Sequence, residues 1–405
     1  MNVLMFSPGF PREMRYFTRG LAEVGANVIG LGDQPEAALE EPARSAVSMH
    51  IQVRSWLDED AILRQVADVA KRVRIDRVEC LWEPYMVLAA RIREMLGLPG
   101  MTVEQTIPLR DKEIMKRVLD GAGIRTPHHY SATTAAQVVE AAETIGYPVI
   151  VKPIDGAGSE NTHRVDSREQ LDGILPSLRS VKEVSVEEFV EGEDMTYETI
   201  CIDGEIHHYS ISTYIPRALD MKSNAWISPI TLVYRDPDDP SLAAGKAMGE
   251  AVIKALGFQT GYTHMEWYRT AEGEAIFGEI GGRPPGAYLV DLINYAADID
   301  SYTGWAEAVV HGRFTQPVDR KYNAAWIFKR ARGQGRIQRY DGLHALMSEI
   351  GQHVVALDLN PIGAPRKDWR KVLKGDGMVI VRHPDLQTTI DMAGRVASRL
   401  EIVAG

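Results

Sequence analysis

The chain has 405 residues, 45% hydrophobic and 25% charged, which suits roughly two to four packed domains of an ordinary globular protein. Its formal net charge of −11 and lack of a basic block argue against a nucleic-acid partner. No apolar run reaches the roughly 20 residues needed to span a bilayer, so no membrane partner is expected. The opening MNVLMFSPGF lacks the basic n-region of a signal peptide. Cys80 and Cys201 are far apart in apolar surroundings, without CxxC, and read as reduced core residues of a cytoplasmic protein.

Residues 2–6 form an apolar strand that enters a turn at Ser7-Pro8-Gly9. A helical pattern (Tyr16, Phe17, Leu21, Val24) then leads through Gly25 to a strand over 27–31, a β-α-β unit with a right-handed crossover. A helix over 59–73 feeds a strand over 76–81. Just past it lies Trp82-Glu83-Pro84-Tyr85, where ligands bind in open α/β sheets, so Glu83 reads either as a substrate contact or as a cap or turn residue. A helix over 86–96 ends at Gly97, and the absence of GxGxxG leaves a dinucleotide site unsupported.

From Leu109 the texture changes. Asp111 caps a helix with the stripe Ile114, Met115, Val118 and Leu119, stopped by Gly121 and Gly123. Lys112 falls in its first turn, an unfavourable place for a cation, and reads as a ligand contact or as chance. After a helix over 135–145, the strand 149–153 carries Lys152 and opens into a loop with Gly156, Gly158 and Ser159. Small residues let backbone N–H groups approach phosphate, and the lysine adds a point charge; a plain loop with a chance lysine is the other reading. No Walker A pattern is present. A helix over 167–178 follows.

The segment 184–194, VSVEEFVEGED, is strand, loop at Gly192 and strand again to Ile202. Asp203-Gly204 turns it into a strand over 205–214. The stretch 216–229, with Lys222 and Trp226, reads as a mobile loop, and a helix over 237–256 ends at Gly257. Next comes GYTHMEWYRTAEGEAIFGEIGGRPPG, a hairpin turning at Ala271-Glu272-Gly273-Glu274. Glu266 and Glu279 fall on its successive strands, where two inward carboxylates need a cation between them. Such oxygens suit Mg²⁺, which keeps other positions for water and phosphate. Surface glutamates on an ordinary hairpin are the alternative. Arg283 follows at a turn, placed to hold an oxyanion or a phosphoryl group. His264 lies two residues before Glu266 and shares its face, either reaching the site or serving as a structural histidine. Helices over 289–297 and 302–310, short strands over 324–330, 335–340, 353–359 and 377–382, and a helix over 386–400 complete the chain.

Taken in order, Lys112, Lys152 with its glycine loop, EEFVEGED, the Glu266/Glu279 hairpin and Arg283 resemble the ATP-grasp superfamily along essentially the whole chain. The resemblance implies an α/β and α+β multidomain protein. Residues 1–108 would form a Rossmann-like open α/β pre-ATP-grasp domain. Residues 109–318 would form a central ATP-grasp fold of two α+β subdomains, with the lid at about 127–190. Residues 319–405 would form a mainly β closing domain similar to that of biotin carboxylases. It also implies ATP and Mg²⁺ as cofactors, with Mn²⁺ as a substitute. Lys112 and Lys152 would contact phosphates under the loop of Gly156, Gly158 and Ser159. The hinge backbone at Glu188, Phe189 and Val190 would bind adenine, with Glu187 near its amine and Asp194 at the ribose. Glu266 and Glu279 match the metal ligands, Arg283 matches the arginine of acyl-phosphate and tetrahedral intermediates, and Lys222 falls near a further phosphate or substrate lysine. The departure is EIGGR in place of EINPR, with Gly281 where the family has Asn.

After Arg283 the chain lacks the LQVEH of biotin carboxylases and any biotin attachment site, and resembles instead the amino-acid ligase branch, including dipeptide synthetases and carnosine-synthase-like enzymes. The implied reaction joins a small-molecule carboxylate to an amine through an acyl phosphate, giving ADP and phosphate, with substrate walls at Glu83, Trp226, His264 and Gly286. The alternatives are a phosphoribosyl-amine or carboxylase type of ligase, or a nucleotide-binding protein without catalysis. A homodimer through the first or third domain is a further property of such enzymes.

Overall fold

A computed structural model describes residues 1–154, 162–372 and 374–405. Three sheets dominate it. Near the N-terminus, four parallel strands lie in the order Val47–Gln52, Asn27–Gly32, Asn2–Phe6, Arg77–Glu79. The strand Val47–Gln52 is not among the expected strands, although VSMHIQ alternates apolar and polar residues along its length. The inner strands are apolar along their length (Val3, Leu4, Met5 and Phe6 all fully buried), as a parallel sheet covered on both faces requires. One cover is the helix Met14–Glu23, which also docks this domain onto Ser301–His311. Phe17 meets Tyr302 and Trp305 edge-on there. A Cβ at Gly20 would lie 2.8 Å from the Tyr302 carbonyl oxygen, so the close helix crossing needs glycine.

A second, antiparallel sheet has the order His129–Ala132, Val184–Glu188, Val149–Pro153, His163–Val165. Alternation sorts its faces. Val184, Val186, Val149 and Val151 pack against the helices Ala135–Ile145 and Arg168–Ile174, while Ser185, Glu187 and Lys152 point to the other side, over the helix Lys112–Gly121.

The third sheet has eight strands, in the order Ala275–Gly281, Gly261–Arg269, Glu193–Ile202, Glu205–Ile215, Ile230–Val233, Asn323–Lys329, Gly377–His383, Val354–Leu359. It runs without interruption through the expected division at 318/319, so the closing part is joined to the centre by main-chain hydrogen bonds. The helix Leu343–Ile350, not anticipated within a run of short strands, and the helix Leu386–Arg399 pack on that end. At the other end the helix Ala243–Ala255 lies directly on Trp267 and Tyr197: a Cβ at Gly245 would meet the Trp267 ring at 2.1 Å, and one at Gly249 the Tyr197 ring at 2.5 Å. Trp267 and Trp326 are core residues, as their apolar settings suggest. Among the described residues no helix is long and apolar enough to cross a membrane.

Candidate active site

A cleft opens between the small antiparallel sheet and the hairpin end of the eight-stranded sheet. Its walls bring together Lys112, Lys152, Glu187, Glu188, Phe189, Val190, Asp194, His264, Glu266, Glu279 and Arg283, along with Gly281. Wall residues from Lys112 to Arg283 are thereby assembled by two sheet registers, and Arg283 is held by Glu83, 200 positions away in the chain.

The hairpin supplies the acidic wall. Its strands Gly261–Arg269 and Ala275–Gly281 pair so that Glu266 stands directly opposite Glu279, with a register irregularity just after Glu266 that keeps both side chains on the cleft face. Lys112 Nζ, at the start of the helix capped by Asp111, lies 3.4 Å from Glu279 Oε1. Glu266 is flanked by His264, whose Nε2 is 3.6 Å away. The other ring nitrogen, Nδ1, is 2.8 Å from Glu198 Oε1, a carboxylate with no exposure on the neighbouring strand Glu193–Ile202. Ser210 donates to the second Glu198 oxygen at 3.3 Å. Burial works against a charged imidazole here, and the hydrogen bonds and charges of Glu198 and Glu266 outweigh it, raising the His264 pKa to about 9. Enclosure pushes Glu266 up, and the bond and charge from His264, with Arg283 and Lys152 beyond, leave it below the ordinary carboxylate range.

Two facing carboxylates with no third acid fit a hard cation that takes most of its coordination from water and phosphate. Among the described residues there is no group of three or more His, Cys, Asp or Glu that would cage a metal by itself. That donor set suits a hard divalent cation such as Mg²⁺. At Gly281 an added Cβ would lie 3.2 Å from Arg283 Cγ and 3.6 Å from its Nε. Asparagine there presses on the arginine before it offers a ligand. Gly281→Asn is therefore expected to lower kcat about three- to tenfold, on the scale of a modest steric penalty. Turnover measured across a Mg²⁺ titration checks this; an unchanged kcat would mean that Arg283 yields without cost.

The opposite wall is basic. Lys152 Nζ is 2.8 Å from Glu187 Oε2, while Glu187 Oε1 bonds Lys116, a residue the sequence reading passed over. Burial would raise the Glu187 carboxyl, and the two lysines hold it far below the carboxylate range. The Glu188 side chain points outward instead, where Arg125 grips it with both contacts at 2.9 Å. Phe189 is flanked by Arg164 and Arg217, with guanidinium carbons 4.1 and 4.9 Å from the ring centroid. Asp194 is engaged at both oxygens: Arg217 Nε donates to one and the Ala218 N–H to the other, each at 2.8 Å.

Arg283 reaches the cleft from the turn after the hairpin, and its orientation comes from the first domain. Its Nε donates to Glu83 Oε2 at 2.7 Å, and Arg110 bonds the other Glu83 oxygen. Glu83 is 6% exposed. Burial would raise its pKa, and the charges of Arg283 and Arg110 outweigh that and lower it. Trp226 is not part of this cleft: it stands 76% exposed and lines a separate groove beside Lys329 and Arg330. Gly286 is exposed and does not line the cleft. Gly156, Gly158 and Ser159, and the side chain of Lys222, lie outside the described residues. The partners missed in the sequence were Glu198, Lys116, Glu113 and His129. For Glu198, Lys116 and Glu113 the one signal is a charged side chain at an inward position, and His129, on a mostly exposed strand, carries none.

A model of the ATP-grasp N-terminal domain matches residues 22–100, and one of the ATP-grasp domain matches residues 109–223. The L-arginine-specific L-amino acid ligase of Bacillus subtilis is 28% identical over 255 residues, 59% of this chain and 61% of that protein. A D-alanine--D-alanine ligase of Clostridium perfringens is 34% identical over 119 residues, 28% of this chain and 39% of that protein. The chain thus spans less than two thirds of the length of these relatives. Among solved structures, L-amino acid ligase from Bacillus licheniformis superposes with a TM-score of 0.79 at 20% identity, covering 100% of this chain and 98% of that one. N5-carboxyaminoimidazole ribonucleotide synthetase from Thermotoga maritima gives 0.73 at 16% identity, over 100% and 99% of the two chains. The fold is that of both.

Proposed function

We propose, for a chain that matches models of an ATP-grasp N-terminal domain and of an ATP-grasp domain, the activity of an ATP- and Mg²⁺-dependent carboxylate–amine ligase acting on an amino acid or a related small molecule. One observation carries the reading: paired acids, two lysines and a held arginine converge on a single cleft beside the hinge strand 184–188. On this reading Lys152 and Lys112 bind the nucleotide phosphates, and the hinge from Glu187 to Val190, with Asp194, seats the nucleoside. Glu266 and Glu279 would hold Mg²⁺, which when bound would supply neutralisation of the charge on the phosphate oxygens. A substrate carboxylate oxygen attacks the γ-phosphorus and ADP leaves. The amine nitrogen then attacks the acyl carbon, phosphate departs, and the nitrogen gives up a proton. Arg283 faces the negative charge that builds in both steps.

The amino-acid branch is supported by two of the relatives above, an L-amino acid ligase and a D-alanine--D-alanine ligase. The division at 108/109 and 318/319 with a lid at about 127–190, and a homodimer, belong to the same proposal. Cytoplasmic location is supported by two cysteines that are both free and buried. The test is ADP release with ATP, Mg²⁺ and pooled amino acids, leaving out one at a time and weighing the products. Expected is a signal that needs two pool members, with a product lighter than their sum by one water. ADP release with bicarbonate alone would overturn amide ligation.

A further inference from the structure

Behind the cleft lies a lysine that the chemistry above leaves unused. Lys116 is 1% exposed, on the helix Lys112–Gly121, and its ammonium bonds Glu187 Oε1. Ser185 Oγ is 3.5 Å away and Glu113 Oε1 3.9 Å away. The other Glu187 oxygen takes Lys152 at 2.8 Å. Glu187 is therefore shared between two ammonium groups, one lining the cleft and one sealed from it. The nearby Glu113 is turned to other partners: Ser185 donates to Oε1, and His129 Nδ1 is 2.8 Å from Oε2. The second nitrogen of His129 faces Asp120 at 3.2 Å.

A lysine meant to attract phosphate is poorly served by a carboxylate at hydrogen-bond distance, because the pair is neutral. A second ammonium on the far oxygen changes the sum, since two lysines and one glutamate carry a net +1. Burying that second lysine is costly, as desolvation of an ammonium is. An apolar side chain of similar volume would join helix to sheet without that cost. We propose that Lys116 is a positioning residue that engages the far side of Glu187 and so leaves Lys152 the net positive charge with which it takes nucleotide phosphate. This rests on the reading of Lys152 as a phosphate ligand.

Equilibrium dialysis with ADP and with adenosine separates charge from structure, because adenosine shares every contact but the phosphates. Lys116→Gln keeps a donor for Glu187 and removes the charge. It is expected to weaken ADP about tenfold, the scale of one unit charge withdrawn from a partly buried site, and to leave adenosine unchanged. Lys116→Arg should hold ADP within about threefold of wild type, because the charge is kept. The double variant Lys116→Gln/Glu187→Gln removes both charges and should restore the preference for ADP over adenosine. If the single variant does not fold, the double variant decides: a lost preference overturns the proposal. Equal weakening of both ligands by Lys116→Gln, or of neither, overturns it as well. Lys152→Met run in parallel isolates the underlying reading, since unchanged ADP affinity there would sink the phosphate role of Lys152 itself.

Discussion

Glu279→Gln is expected to remove ATP turnover, by at least about 10³-fold in kcat, while the chain folds at least as stably as before. On the proposed metal role of Glu266 and Glu279, the rate follows from losing half of a two-carboxylate site whose bound cation would be worth several kcal/mol in the transition state. The stability follows from register: Glu266 and Glu279 face each other across an antiparallel pair, and like charges in that position cost about 0.2–1 kcal/mol. Removing one relieves the repulsion. The lost contact to Lys112, at 3.4 Å, is the offset. Steady-state ADP release and a thermal melt on the same preparation check both halves. Retained turnover would remove the metal assignment, and a melting temperature several degrees lower would show that the Lys112 contact outweighs the repulsion.

The hairpin could be read from sequence because everything that defines it is local. Alternation over Met265, Glu266 and Trp267 sets the faces of the first strand, and the Gly273 turn sets the pairing, with the Gly273 N–H donating to the Thr270 carbonyl at 3.0 Å. Lys152 and the hinge were legible for the same reason, as residues at strand ends. What escaped is what depends on pairing between distant segments. Glu198 lies in MTYETI, an unremarkable strand, until the neighbouring strand sets His264 opposite it. The helix of Lys112 is legible by its Asp111 cap, its apolar stripe and its glycine stop. Its other face, with Lys112, Glu113 and Lys116 buried, is explained only by the polar side of a sheet whose strands lie far along the chain. The eight-stranded sheet was missed as a unit for a similar reason, since the strands after 323 read as a separate set until Ile230–Val233 bridges them to the centre.

On the proposed role of Arg283, Glu83 acts through it, and the two are expected to behave as one unit in kinetics. Arg283→Lys should cost about 10²–10³ in kcat, the scale for losing a fixed donor to a developing oxyanion, because an ammonium cannot reproduce the planar fork that Glu83 orients. Glu83→Gln keeps the volume of the side chain and removes its charge. Arg283 and Arg110 then share a mostly buried space with no carboxylate between them, and Arg283 swings from the cleft. A kcat loss of about tenfold or more follows, with KM for ATP unchanged, since the nucleotide walls on Lys152 and the hinge are untouched. In the Arg283→Lys background the further change should be small, because the geometry that Glu83 maintains is already lost. A double-mutant cycle in kcat is the deciding measurement. Additive losses would mean that Glu83 meets the substrate directly, and a raised KM for the amine or carboxylate in Glu83→Gln would say which one.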